Sequence, residues 1–141
     1  MTVRASPALT MFVAGAAVLM ASCSTAPIQE ARSLKAEREL AEALTGRSQR
    51  APVRCLPSYR TNQMEIVDDN TILYRDGRTV YVQHPRGGCP GIGFGNYTLV
   101  THHFGSNESC EGDISHVVDL RTGMGGGSCV FGPFIPFTKP S

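Results

Sequence analysis

The strongest constraint on how this chain can fold is the placing of its cysteines. Of 5 cysteines in 141 residues, Cys55, Cys89, Cys110 and Cys129 lie in the C-terminal two thirds, while Cys23 stands apart behind an apolar N-terminal run. An even set of four in a short chain reads as two disulfides, which persist in an oxidising compartment. Four cysteines allow three pairings, and spacing alone does not choose among them. The expectation adopted is Cys55–Cys129, tying first strand to last, with Cys89–Cys110 bracketing the unit between them. Chain-entropy treatment gives such bridges about 4.5 and about 3.4 kcal/mol, comparable to the whole net stability of a small domain. A domain of about 90 residues buries a smaller share of its surface than a large one, so such staples matter, and this one has no Trp.

Cys23 needs its own account. Arg4 supplies a weak positive start, and Met11 to Ala21 is uncharged and apolar. At about 1.5 Å per helical residue that run falls short of a bilayer core of roughly 30 Å, so it reads as a signal peptide over residues 1–22. The stretch Leu19-Met20-Ala21-Ser22-Cys23-Ser24 resembles the processing box of a bacterial lipoprotein, with Met20 where Leu is preferred. The resemblance implies that Cys23 is lipidated and becomes the first residue of the mature chain. Two or more acyl chains hold a membrane firmly. Ser24 is not the Asp that favours inner-membrane retention, so the expected place is the outer membrane, facing the periplasm. The alternative is plain cleavage and a soluble periplasmic or secreted protein.

Residues 23–52 read as a lipid-anchored tether with a helix over 28–45. Good helix formers fill Ile28 to Leu44, Gly46 stands where a helix would end, and Ala36, Leu40, Ala43 and Leu44 make a narrow apolar stripe. A solvated spacer is the expectation; a helix that docks a partner or lies on a membrane is the alternative. Pro52 closes the segment, and residues 53–141 are expected to form the disulfide-stapled β domain.

Within that domain the pattern is of short strands. Gln63 to Val67 alternates, Asp68-Asp69-Asn70 is a turn, and Asp76-Gly77 is a hairpin signal between Ile72–Arg75 and Arg78–Val82. A two-residue turn there sets Leu73 opposite Val80 and Ile72 opposite Tyr81. Leu73, Val80 and Val82 then share one face, and Ile72, Tyr74 and Tyr81 the other. A glycine-rich loop spans 84–95. Tyr97 to Phe104, Ile114 to Leu120 and Cys129 to Phe131 complete the strands, with Ile114, His116, Val118 and Leu120 on one apolar side. The tail should run extended, with Phe134, Ile135 and Phe137 over the core. The fold class is therefore mainly β: a small disulfide-stapled barrel or roll of about five to six strands, preceded by one N-terminal helix.

Several segments in order carry a resemblance over Cys55 to Phe137: Cys55-Leu56, Val67 to Leu73, Gly88-Cys89-Pro90-Gly91, Cys110 with Asp113-Ile114, and Gly127-Ser128-Cys129 with Phe131-Gly132. In these the chain resembles an uncharacterised family of small proteobacterial lipoproteins and periplasmic proteins with a four-cysteine β-rich domain. The resemblance implies a stapled fold and an exported location. It brings no activity with it.

Chemistry-bearing residues are sparse. Adjacent His102 and His103 point to opposite faces of a strand, His116 sits on an apolar face, and no C-x-x-C pair of zinc-ribbon type occurs. Asp113, Ser115 and His116 are neighbours in sequence without a nucleophile elbow. Gly91-x-Gly93-x-Gly95 does not complete a dinucleotide fingerprint, and Gly123 to Gly127 lacks the Lys-Ser/Thr of a P-loop. Asp68 and Asp69 have no calcium-loop spacing around them. Loss of Arg4 with the signal takes the 13 basic residues to 12, equal to the 12 acidic ones, so no nucleic-acid footprint remains. The expectation is a non-enzymatic cell-envelope lipoprotein without cofactor or metal, attached to the membrane by lipid, with a protein-binding or structural role toward an envelope partner. No nucleic acid or nucleotide is expected among its partners. The alternative is a small-ligand-binding or lysozyme-type enzyme-inhibitor module, in which the glycine loop would enter a target cleft; its basis is architectural analogy.

Overall fold

The computed structural model of the chain describes residues 26–103 and 105–140; the signal segment and Cys23 lie outside them. After helix α1 (Ala26–Leu44) come strands β1 (Ser48–Gln49) and β2 (Cys55–Pro57), a short helix α2 (Ser58–Thr61), and strands β3 (Met64–Asp68), β4 (Thr71–Asp76) and β5 (Thr79–Gln83). The second half adds β6 (Tyr97–Thr101), β7 (Glu108–Cys110), β8 (Ile114–Asp119), β9 (Gly125–Val130) and β10 (Phe134–Thr138). They form a five-stranded sheet ordered β1-β10-β5-β4-β3, a pair β2-β7 and a three-stranded sheet β6-β8-β9. The domain is thus mainly β, with one main helix, as expected. Its sheets stay open, so the barrel-like closure is corrected to three separate sheets among the described residues.

The β4–β5 hairpin sits at the centre, and its turn is one residue later than the sequence suggests. Asp76 pairs with Thr79, Tyr74 with Tyr81 and Leu73 with Val82, so the turn is Gly77-Arg78. Gly77 takes the first central position with φ +55°, the left-handed conformation a type II′ turn requires there. Moving the turn by one residue shifts the register by two, and a shift of two leaves every side chain on its original face. The two apolar faces therefore stand as expected. Ile72, Tyr74 and Tyr81 enter one core cluster with Leu56, Ile92, Val117, Phe131 and Phe134, while Leu73, Val80 and Val82 enter another.

Helix α1 covers the second face. Ala36 and Ala43 are buried, and Leu40 and Leu44 pack against Leu73, Val80 and Val82. The narrow stripe read as belonging to a solvated spacer is the helix's seat on the sheet, where small alanines allow close approach. The stretch after the helix is also built in: Ser48 pairs with Thr138, Arg50 N donates to Pro136 O at 2.8 Å, and Val53 bridges Phe134. The folded body begins well before residue 53.

The C-terminal tail goes further than lying over the core. As β10 it fills the place between β1 and β5, with Phe134 opposite Gln83 and Phe137 opposite Val80. Pro136 is tolerated there because its backbone faces the two-residue β1, where its carbonyl is used, and β5 needs no donor from it.

The disulfides are Cys55–Cys110 and Cys89–Cys129, which corrects the expected pairing of Cys55 with Cys129 and Cys89 with Cys110. The reason is topological. β2 pairs with β7, not with the last strand, and places Cys55 directly opposite Cys110. Cys89, in the glycine loop, meets Cys129 on β9 in the core between sheets.

Non-reducing digestion followed by mass spectrometry should return Cys55–Cys110 and Cys89–Cys129 peptides and no others. The closed loops span 55 and 40 residues, about 4.2 and about 3.9 kcal/mol by loop closure. The two would then be near equal, but Cys89 and Cys129 are 0% and 3% exposed and also fill the core. Chemical denaturation should therefore show the Cys89→Ala/Cys129→Ala variant to be the less stable of the two pairwise variants; the opposite order would contradict this packing.

Candidate functional site

The three-stranded sheet turns its apolar side outward. Ser115 and Val117 are the buried positions of β8, whereas Ile114 is 57% exposed and Leu120, just beyond the strand, is 68% exposed. The side of this strand that reads as apolar in the sequence is thus the outer one. The cause lies in the pairing. Cys129 stands opposite Ser115, opposite residues share a face, and Cys129 must face inward to reach Cys89. Ser115 is forced inward with it, its hydroxyl paired with that of Thr101, and Ile114 and His116 go outward. Val100, opposite His116 on β6, and Met124 extend the exposed apolar surface. The outward positions of β6 and β8 (Thr98, Val100, Ile114, His116 and Val118) contain no Asp, Glu, Lys or Arg.

The histidines divide as adjacent strand residues should. His102 lies beside His116, ring centroids 6.2 Å apart, and His116 Nδ1 meets Ser128 Oγ at 2.9 Å. His103 turns the other way, Nδ1 3.9 Å from Asp113 Oδ2. His84 Nδ1 is 3.0 Å from Asn70 O. Ser115 and His116 face opposite sides of the sheet, so Asp113, Ser115 and His116 do not converge on a reacting centre. Among the described residues, ligating atoms cluster within 4.8 Å at Cys55, Glu108 and Cys110, and both of those sulfurs are engaged in the disulfide.

Asp68 and Asp69 serve the glycine loop. Asp68 Oδ1 accepts from Asn70 N at 2.8 Å, an Asx turn. Asp69 reaches across: Oδ2 accepts from Gly91 N at 3.1 Å, Oδ1 accepts from Gly93 N at 2.9 Å, and its carbonyl accepts from Cys89 N at 2.6 Å. The loop lies so near this turn that a Cβ on Gly88 would stand 2.6 Å from Asn70 Oδ1. The glycine-rich loop is clasped, and its 3-10 turn Ile92–Phe94 touches both β3 and β6 with Ile92 buried.

Below that turn a cleft of about 380 Å³ opens between β3 and β6, the free edges of two different sheets. Thr61, Asn62 and Met64 line one side; Thr98, Leu99, Thr101 and His103 line the other. Tyr74, Ser109 and Phe131 also contribute. Tyr74 is 2% exposed and Ser109 4%; the described residues give neither hydroxyl a hydrogen bond, yet neither oxygen is sealed in the interior as both ends of the Gln83 amide are. Burial pushes the Tyr74 phenol well above its ordinary value, so it stays a neutral donor. Its ring is fixed edge-on to Phe134, centroids 5.6 Å apart. Hydroxyls without a protein partner at the wall of a cleft take one from solvent or from a ligand. Sequence reading missed this cleft. Its residues come from α2, β3, β4, β6, β7 and the segment after β9, and no local spacing unites them.

No family model, curated protein or solved structure matches the chain.

Asp69→Ala removes both carboxylate bonds to the loop and should lower stability by about 2 kcal/mol. Amide hydrogen exchange should quicken first at Gly91 and Gly93. Exchange rates unchanged at those two amides would show that the loop is held by something other than this carboxylate.

Proposed function

We propose that this protein is a non-enzymatic lipoprotein of the cell envelope, lipid-anchored at Cys23 to the outer membrane and facing the periplasm, whose domain binds a second protein. The reading is carried by the outward face of the β6-β8-β9 sheet. An uncharged surface bearing Val100, Ile114 and Leu120, held rigid by a disulfide from within, has the charge-depleted character of an interface core. A neutral apolar patch on another protein fits it; an anionic lipid headgroup would find no cation on these strands. The lipoprotein-like box at Cys23, the two disulfides and the resemblance to exported four-cysteine proteins support the location. Among the described residues no helix is long and apolar enough to cross a membrane, and on this reading attachment rests on the lipid.

Two measurements bear on this. Cys23→Ser should abolish acylation and move the protein from the membrane to the soluble fraction; unchanged partitioning would refute the anchor. A photo-crosslinking residue at Ile114, in cells, should give one discrete adduct that a residue at Tyr59 does not give and that Val100→Glu abolishes without lowering Tm. An adduct of twice the chain's mass would identify the partner as a second copy, and identical adducts from both positions would refute the face as an interface.

A further inference from the structure

We propose that the cleft between β3 and β6 is a binding site for an uncharged, hydroxyl-rich ligand of sugar-ring size, held by the hydroxyls of Tyr74 and Ser109. This goes beyond protein docking and concerns a different surface from the one around Ile114 and Leu120. The starting observation is a pair of polar side chains more than nine-tenths buried, both lining the cleft, neither with a partner among the described residues. Each hydroxyl can donate one hydrogen bond and accept others. The ligand that satisfies both kinds of need is one whose own groups donate and accept, and an alcohol does so.

The rest of the lining narrows the class. Leu99, Met64 and Phe131 offer apolar surface for the C–H face of a ring, and Asn62 and Thr98 add polar groups at the walls; the hydroxyls of Thr61 and Thr101 are already bonded to Ser58 O and Ser115 Oγ. No Asp, Glu, Lys or Arg lines the cleft, and the one histidine that does, His103, has its Nδ1 3.9 Å from Asp113 Oδ2. A charged ligand would lose hydration there with no counter-charge to replace it. A hydrocarbon would leave the Tyr74 and Ser109 hydroxyls unpaired. An uncharged sugar or polyol avoids both costs, and about 380 Å³ lies within the roughly 300–1,000 Å³ typical of small-molecule clefts. The site is also preorganised. Phe134 fixes the Tyr74 ring, and Ser109 sits beside Cys110, whose disulfide and whose N–H bond to Asp113 Oδ2 at 2.7 Å hold β7 in place.

The test titrates the full, detergent-solubilised chain with methyl β-glucoside, the disaccharide of N-acetylglucosamine and inositol, reading backbone amide shifts. At least one probe should shift Thr61, Asn62, Thr98 and Ser109 together while leaving Gly91 and Gly93 in place. Tyr74→Phe and Ser109→Ala should each weaken that binding by about tenfold or more, and Tyr74→Phe should keep Tm because its hydroxyl makes no bond to the described residues. Glucuronate should bind more weakly than the neutral glucoside. Three silent probes, full affinity in Tyr74→Phe, or glucuronate binding as well as the glucoside would each overturn the proposal. Shifts running along β3 and β6 with an extended peptide and absent with every sugar would assign the cleft to a peptide instead.

Discussion

The Cys89–Cys129 bridge is the contact on which the arrangement of the second half depends. It joins a loop that follows β5 to the last strand of the other sheet, and so fixes which side of β9 faces the core. Antiparallel pairing carries that choice outward. With Cys129 inward, Ser115 and Val117 on β8 are inward, and Leu99 and Thr101 on β6 follow. A slip of one residue between β8 and β9 would bring His116 into the core or turn the cysteine away from its partner, and one between β6 and β8 would turn Leu99 outward. The exposed apolar face is thus a consequence of a covalent constraint inside the molecule, imposed against what hydrophobicity along β8 alone would choose.

The same loop is gripped from the first sheet. Asp69, in the β3–β4 turn, holds Gly91 and Gly93 by their N–H groups, and its carbonyl takes the N–H of Cys89 itself. One short segment is therefore tied to the five-stranded sheet by hydrogen bonds and to the three-stranded sheet by sulfur. That double tie sets the spacing between β3 and β6 and so the width of the cleft between them. The hairpin β4–β5 serves both sides at once, since Tyr74 and Tyr81 face the sheets beyond while Leu73, Val80 and Val82 receive α1. With so few large apolar residues available, using both faces of one hairpin is how a short chain builds two clusters.

Local features were legible in the sequence, and relations between distant segments were not. Periodicity and turn chemistry gave β3, β4, β5 and β8 within a residue or two, the helix with its stripe, and both faces of the hairpin even though its turn was misplaced by one residue. The pattern carries β6 on to Phe104, which lies outside the described residues, whereas the strand ends at Thr101. Parity gave two disulfides. Their partners required knowing that β2 lies beside β7, a non-local pairing that no spacing encodes. The seating of α1 was missed because Ala36 and Ala43 look too small to anchor a helix, yet small residues are what a close helix–sheet contact accepts. β9 was too short in the reading because Gly125 to Gly127 carry no strand propensity; pairing with β8 makes them a strand. The site was least legible, being made where two sheet edges meet.

Polar groups in the interior separate what is structural from what invites a ligand. Ser115 is fully enclosed and answered by Thr101, a closed pair that needs nothing further. Gln83 is fully enclosed as well, on the core face between Ile72 and Phe134, and neither end of its amide finds a partner. Sealed off from every described cavity, it can only subtract from stability, an effect of about 1–3 kcal/mol that the disulfides more than offset. Tyr74 and Ser109 are the third case. Their hydroxyls have no partner among the described residues, but unlike the Gln83 amide they are not sealed and they border an open cleft, so a partner can arrive from outside. The same unmade hydrogen bond is a fixed loss where nothing can enter and a source of affinity where something can.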